Sequence, residues 1–255
     1  MCPLGGAAVW GTPSHFIARV LLVETARDGL VLVDTGISLA DRADPHGRLG
    51  ALARVTAIDT ADAGAAIEQV KALGYDPNDV RHIALTHFDF DHAGGIADFP
   101  WATVHLLSTE LDAVRQPRGI EKRRYRTAHV EALRGVETYP LSGERWRGFD
   151  AAQQLRGVSD EIALVPLIGH TRGHAAIAVA TDEGHILHAG DAYMRRSQVD
   201  GGPTPLAIRL FERAVAWDYP RVLANHERLA AATRDPSLTL VASHDPSESP
   251  PCRIP

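Results

Sequence analysis

Apolar residues along this chain come in short runs that stop at Gly, Pro or Asp, and many of the runs are separated by stretches of helical periodicity. Residues 18–24 and 30–34 read as strands, and Asp28-Gly29 between them is a hairpin signal. Residues 37–60 are rich in Gly, Asp and Ala with weak periodicity, which predicts a long loop with some helix. A helix capped by Thr60 or Asp62 follows; Ala66, Ile67, Val70 and Leu73 form its apolar face, and Gly74 ends it. Residues 80–85 and 102–107 are apolar enough for buried strands, and this strand–helix–strand rhythm predicts an α/β fold. The pattern turns helical and charged over 108–134, and residues 141–157 carry Trp146 and Phe149 among glycines, so 108–157 reads as a helical or irregular cap. Strands return at 162–167, 176–180, 185–189 and 238–242. A helix is expected over 205–217, then a strand-like 221–223 and a second helix over 225–233. The Pro- and Ser-rich residues 246–255 read as a disordered tail, leaving 1–245 as one domain.

The chain has 255 residues, 45% of them hydrophobic, enough to bury a full core. Its formal charge of -6 argues against a nucleic-acid-binding surface. The densest basic run, Lys122-Arg123-Arg124 with Arg126, reads as a solvated helix face. The two cysteines, Cys2 and Cys252, rule out a disulfide scaffold and a thiolate metal site, which suits a reducing cytoplasm. Residues 1–11 lack a basic segment followed by a long apolar one, and no apolar run is long enough to span a bilayer. Neither an export signal nor a membrane or nucleic-acid partner is therefore expected.

The chemistry concentrates in Thr86-His87-Phe88-Asp89-Phe90-Asp91-His92-Ala93-Gly94-Gly95, directly after a predicted strand. So many imidazoles and carboxylates are costly to desolvate unless a cation compensates. Alternation on an extended segment throws His87, Asp89 and Asp91 to one side and the two Phe rings to the other. Three later segments also follow predicted strands: Gly169-His170-Thr171-Arg172-Gly173-His174, Gly190-Asp191-Ala192-Tyr193 and Ser243-His244-Asp245. Strand ends of an α/β sheet gather ligand sites, so these segments are expected to converge. His226 competes with His244 as a late ligand, but Asn225-His226-Glu227-Arg228 looks like a helix start. His174 reads as a loop-supporting hydrogen-bond residue.

In order and spacing these segments resemble the metallo-β-lactamase superfamily pattern T-H-x-H-x-D-H-x-G-G, G-H-T-x-G-H, G-D and a late His, with Val33-Asp34-Thr35-Gly36 as the early signature. Within the superfamily the chain looks most similar to the N-acyl-homoserine lactonase branch. The resemblance implies an αββα four-layer sandwich with two divalent metal ions at one rim, zinc foremost and iron or manganese as alternatives. It assigns His87, Asp89 and His170 to the first ion, Asp91, His92 and His244 to the second, and Asp191 as the bridge, with Asp34 behind the ligands. Asp91 and Asp191 would serve catalysis, and Tyr193 would donate to a substrate carbonyl. The implied reaction is attack of a metal-bridging hydroxide on a small-molecule lactone or related ester. Thioester hydrolysis of the glyoxalase-II kind, phosphodiester cleavage and a non-catalytic metal-binding sensor are the alternatives. The early loop is a candidate homodimer contact.

Asp89 departs from the family, which usually has His there. Harder ions such as iron or manganese accept a carboxylate well. Two divalent ions, Asp89, Asp91, Asp191 and one hydroxide sum to zero, where the usual His would leave plus one. A less positive site is expected to acidify water less.

Overall fold

Short strands, the central ones apolar on both faces, build the sheets of this molecule. The structure, a computed structural model, describes residues 6–9, 15–50, 53, 56–58, 60–159 and 161–248. Its strands are β1 (Gly6–Val9), β2 (His15–Ile17), β3 (Leu21–Glu24), β4 (Leu30–Val33), β5 (Thr56–Ile58), β6 (Val80–Ala84) and β7 (Thr103–Leu107). They continue with β8 (Gly135–Tyr139), β9 (Glu144–Trp146), β10 (Phe149–Gln154), β11 (Ile162–Pro166), β12 (Ala175–Thr181), β13 (Gly184–His188) and β14 (Leu238–Val241). One sheet has the order β3-β4-β6-β7-β8, the second β14-β13-β12-β11-β10-β9, and a small third β2-β1-β5.

Alternation along the strands sorts the side chains into layers. Val31 and Val33 of β4 face Leu164 of β11 and Ile177 and Val179 of β12 between the two large sheets. Leu30 and Leu32 point the other way, into a layer shared with the helix Ala66–Ala72 and the helix Ser108–Arg115. Ala176 and Ala178 face Leu229 of the helix Tyr219–Ala232 on the far side. The result is the α/β sandwich of four layers that the resemblance implies. Each fully buried Val, Leu or Ile contributes about 1.5–3 kcal/mol over exposure, so this two-sided patterning holds the sheets together and fixes their register.

β4, β6 and β7 are parallel, as are β13 and β14, and β11 runs antiparallel to the β12 that separates it from β13. The carboxyl ends of β4, β6, β11, β13 and β14 therefore open on one rim. Every segment with candidate ligands leaves one of those ends.

Several expectations need correction. The cap read over 108–157 is helical only in its first part, at Ser108–Arg115, Glu121–Arg124 and Thr127–Ala132. From Gly135 the chain returns to the sheets: β8 pairs with β7, and β9 and β10 extend the second sheet. Residues 221–223 lie inside the helix Tyr219–Ala232, because Asp218 caps it through the Arg221 N–H and Pro220 occupies its first turn. The helix Leu206–Val215 buries Ile208 and Glu212 and leaves Leu206, Leu210 and Phe211 exposed. The tail expected from residue 246 begins with packed residues, since Glu248 is buried and accepts from the Ala242 N–H at 2.7 Å. Cys2, Cys252 and residues 249–255 lie outside the described residues. No helix among the described residues is long and apolar enough to cross a membrane.

Candidate metal centre

The turn after β6 is set by its backbone before any ligand is considered. Asp34, just past β4, sits at φ 58°, in a left-handed region that Asp tolerates better than most residues. Its carboxylate accepts from the Thr86 N–H at 2.8 Å and from the Thr86 hydroxyl. Thr35 donates both its N–H and its hydroxyl to the His92 carbonyl at 2.7 Å, clamping the short helix Phe90–Ala93 against the β4 end. This close approach is why Gly95 is glycine: a Cβ there would lie 2.4 Å from the Thr35 carbonyl oxygen. Thr86 also accepts from the Ala175 N–H at 2.9 Å, tying this turn to the start of β12 in the other sheet.

The structure brings all seven expected ligand residues to this rim. His87 Nε2 lies 3.3 Å from Asp89 Oδ2 and 3.9 Å from Asp191 Oδ2. His170 Nε2 lies 3.1 Å from Asp89 Oδ2 and 3.4 Å from Asp191 Oδ2. His92 Nε2 is 3.3 Å from Asp191 Oδ1, and His244 Nε2 is 3.0 Å from the same oxygen and 3.6 Å from Asp91 Oδ2. Three overlapping groups have donor atoms within 4.8 Å of one another: His87, Asp89 and His170; Asp91, His92 and His244; and His87, His92 and Asp191. The carboxylate of Asp191 faces both of the first two groups, where a bridging ligand would sit.

These residues fit a pair of divalent ions. His92 Nδ1 is held by Asp34 Oδ2 at 2.8 Å, His87 Nδ1 contacts the Thr86 hydroxyl at 2.9 Å, and His244 Nδ1 donates to the Ile17 carbonyl at 2.7 Å. Each contact turns the Nε2 lone pair inward. Among the described residues, buried His87 Nε2, His92 Nε2 and Asp191 Oδ1 have no hydrogen-bond partner of their own, a cost that a bound cation removes. Imidazole and carboxylate donors without thiolate suit zinc, iron or manganese.

The charges in the rim bias one another strongly. Burial pushes the Asp191 carboxyl up, but His244, His92 and His170 outweigh it and hold it well below the usual range. Burial pushes His92 down, but Asp191, Asp91 and Asp34 hold it well above its ordinary value. His170 is lowered to about 4, first by burial and then by the charge of Arg124.

Other expectations divide. His174 takes the supporting role read for it: Nδ1 faces the Leu167 carbonyl at 3.1 Å, and Nε2 accepts from the Asp191 N–H at 3.0 Å. His226 lies apart, 3.0 Å from Glu212 on the far helices. Tyr193 is a correction. Two residues beyond Asp191 the chain has already turned into the core, so Tyr193 is fully buried and donates its hydroxyl to Glu248 at 2.8 Å. It has no hydroxyl to offer a substrate at the rim.

Two residues at the rim escape sequence reasoning. Glu110, buried at the start of its helix, accepts from the Phe88 N–H at 2.9 Å, the Thr171 hydroxyl at 2.7 Å and the Gly173 N–H at 2.9 Å. It thereby joins the His87 and His170 turns. Gly173 has no room for a side chain, since a Cβ would lie 2.1 Å from the Glu110 nitrogen. Arg124 belongs to the run read as a solvated face, yet its side chain is only 8% exposed and reaches inward. Its Nη1 donates to Asp89 Oδ2 at 2.5 Å and faces His170 Nε2 at 3.0 Å, while Nη2 donates to the Val215 carbonyl. Burial pushes Asp89 up, but Arg124 and His87 hold it well below the usual carboxylate range. A basic run alone carries no signal for this; only the pairing of Arg with an unusual carboxylate could have raised it.

Comparison with known proteins agrees with this geometry. The profile described as "Metallo-beta-lactamase superfamily" matches residues 15–244. The chain is similar to the probable metallo-hydrolase Rv2300c of Mycobacterium tuberculosis, with 45% identity over 239 residues, covering 90% of this chain and 75% of that protein. Its fold resembles the crystal structure of a point mutant of Bacillus thuringiensis AiiA with N-decanoyl-L-homoserine bound at the active site, with TM-score 0.67 and 20% identity over 96% of this chain and 92% of that one. It also resembles AidC, a dizinc quorum-quenching lactonase, with TM-score 0.60 and 17% identity over 91% of this chain and 74% of that one.

Proposed function

Because this chain belongs to the metallo-beta-lactamase superfamily and is a metallo-hydrolase, we propose that it holds two divalent ions and opens a lactone or cleaves a related ester. The supporting observation is the convergence of His87, Asp89, Asp91, His92, His170, Asp191 and His244 on one rim, where His87 Nε2, His92 Nε2 and Asp191 Oδ1 have no hydrogen-bond partner among the described residues. His87, Asp89 and His170 would hold the first ion, Asp91, His92 and His244 the second, and Asp191 both. Zinc is the foremost candidate. Such ions, when bound, make hydroxide available near neutral pH and polarise a carbonyl.

The chain's own residues do the rest. His174 holds the Asp191 backbone, so the bridging carboxylate is fixed before ions or substrate arrive. Asp34 and Thr86 fix the ring orientations of His92 and His87. Asp91 keeps 18% of its side chain exposed, more than the other six candidate ligands, and would take a proton from the attacking water and return it to the leaving alkoxide. Tyr193 takes no part. The likeness to lactonases supports lactones and small esters as the first substrates to try.

The test joins elemental analysis of protein purified without added metal to assays with a lactone, a thioester and a bis-phosphodiester series. The reading expects two ions per chain and fastest turnover on the lactone or ester. Faster thioester or phosphodiester cleavage would reassign the substrate, and metal uptake with no turnover of any of the three would point to a sensor.

A further inference from the structure

We propose that Asp89 and Arg124 are one compensated unit, and that Arg124 is a positioning residue that weakens the hold on the first ion. The proposal rests on the two-ion reading above. Counted over ligands, ions and one hydroxide, the rim sums to zero because a carboxylate stands at position 89. Arg124 adds one positive charge next to that carboxylate, with its side chain only 8% exposed, so the local sum returns to plus one. The weaker acidification of water expected from the ligands alone is therefore revised.

Geometry gives the pair a direction. The guanidinium is anchored from behind by the Val215 carbonyl. Its other nitrogen lies 2.5 Å from Asp89 Oδ2 and 3.0 Å from His170 Nε2, two of the three donors that the first position does not share with the second. An N–H directed at those lone pairs competes with an ion for them, and a fixed positive charge repels the ion. Its hydrogen-bond partners do not include Asp91, His92 or His244. The two positions are therefore unequal: the second fills first, and the first holds its ion more loosely.

The same geometry predicts how substitutions couple. Replacing Asp89 by His with Arg124 in place would set a guanidinium against two imidazoles with no carboxylate between them. The first position then loses its ion. Removing the guanidinium as well should bring it back.

The experiment is a competition titration of chelator-treated full-length chain with zinc chloride against a chromophoric chelator, with a thermal melt of each variant to confirm folding. Wild type should show two binding steps. Arg124→Gln should tighten the weaker step at least about tenfold, the order expected for removing a unit charge a few ångströms from a divalent ion. Arg124→Lys, which keeps the charge, should stay closer to wild type. Asp89→His should abolish the weaker step, and the double variant D89H/R124Q should restore it. A merely structural Arg124 predicts the opposite sign, looser binding on its removal. Looser or unchanged binding in Arg124→Gln, or a D89H/R124Q no better than Asp89→His, overturns the proposal while leaving the two-ion reading intact. A single step or none in wild type overturns both.

Discussion

Replacing Glu110 by Gln should cost more than a surface carboxylate ever does, because four donors converge on this one group. Oε1 accepts from the Phe88 N–H at 2.9 Å and the Tyr125 hydroxyl at 3.4 Å; Oε2 accepts from the Thr171 hydroxyl at 2.7 Å and the Gly173 N–H at 2.9 Å. Gln supplies one acceptor oxygen and an NH2 group. The two hydroxyls can rotate to accept from that NH2, but backbone N–H groups cannot. Either orientation of the amide therefore leaves one N–H, Phe88 or Gly173, facing a donor. An orphaned buried N–H costs about 1–3 kcal/mol, and the surviving bonds fall from charged to neutral strength, about 1 kcal/mol more. Burial already raises the Glu110 carboxyl above its ordinary value, so part of the gain from its bonds is spent on desolvation. The expected net loss is about 2–4 kcal/mol, a large fraction of a domain's stability. Urea unfolding of the chelator-treated protein at pH 7 measures it. Zinc affinity should fall as well, since the His87 and His170 turns lose their common tie. A loss under about 1 kcal/mol with zinc affinity unchanged would refute the reasoning.

Asp34→Asn should weaken zinc binding by roughly 10–100-fold, because the His92 ring loses its carboxylate partner; equal affinity in a chelator competition would count against that role. Tyr193→Phe should leave ester or lactone turnover within about twofold of wild type and lower stability by about 1.5–3 kcal/mol, the value of a hydrogen bond to a charged group, here the Glu248 carboxylate; a tenfold drop in kcat would return Tyr193 to the catalytic list. His105, buried beside Tyr139 and His82, is pushed down to about 3, first by burial and then by the charges of His82 and Arg156. Its folded form stays neutral while the unfolded chain takes up a proton near 6.5, so stability drops as pH falls from 6.5 toward 3. Between pH 7 and pH 5 this one group should remove about 2 kcal/mol, and His105→Gln should show a correspondingly shallower fall in urea midpoints; parallel slopes would sink the assignment.

The candidate ligands are legible because each sits in a short motif at the end of an apolar run, and local order in the chain becomes local order at the rim. The strands follow from the same runs, while the four layers come from the family resemblance those motifs carry. What stayed hidden depended on distant partners. Arg124 looks like its neighbours Lys122 and Arg123, and only the packing of the short helix Glu121–Arg124 against the Asp89 turn selects which of them points inward. The strands β8 to β10 carry Glu, Arg and Gln among glycines, a composition that reads as loop until the neighbouring strand supplies the ladder. Val222 and Leu223 looked strand-like because a short apolar run has no period of its own, and the Asp218 cap with Pro220 decided for helix. Tyr193 failed on register: two residues past a tight turn carry a side chain from rim to interior.

Glu110 reaches turns that issue from both large sheets, and the Thr86 carbonyl does the same through Ala175. Each candidate ion position likewise draws donors from both sheets, with His87, Asp89, Asp91 and His92 on one side and His170 and His244 on the other. The seam between the halves is thus stitched by the protein's own hydrogen bonds. A cation seated at the second position would act as a rivet in holes these bonds already hold in line, whereas one at the first must also displace the Arg124 contacts; without either, the seam is expected to be weaker but still closed.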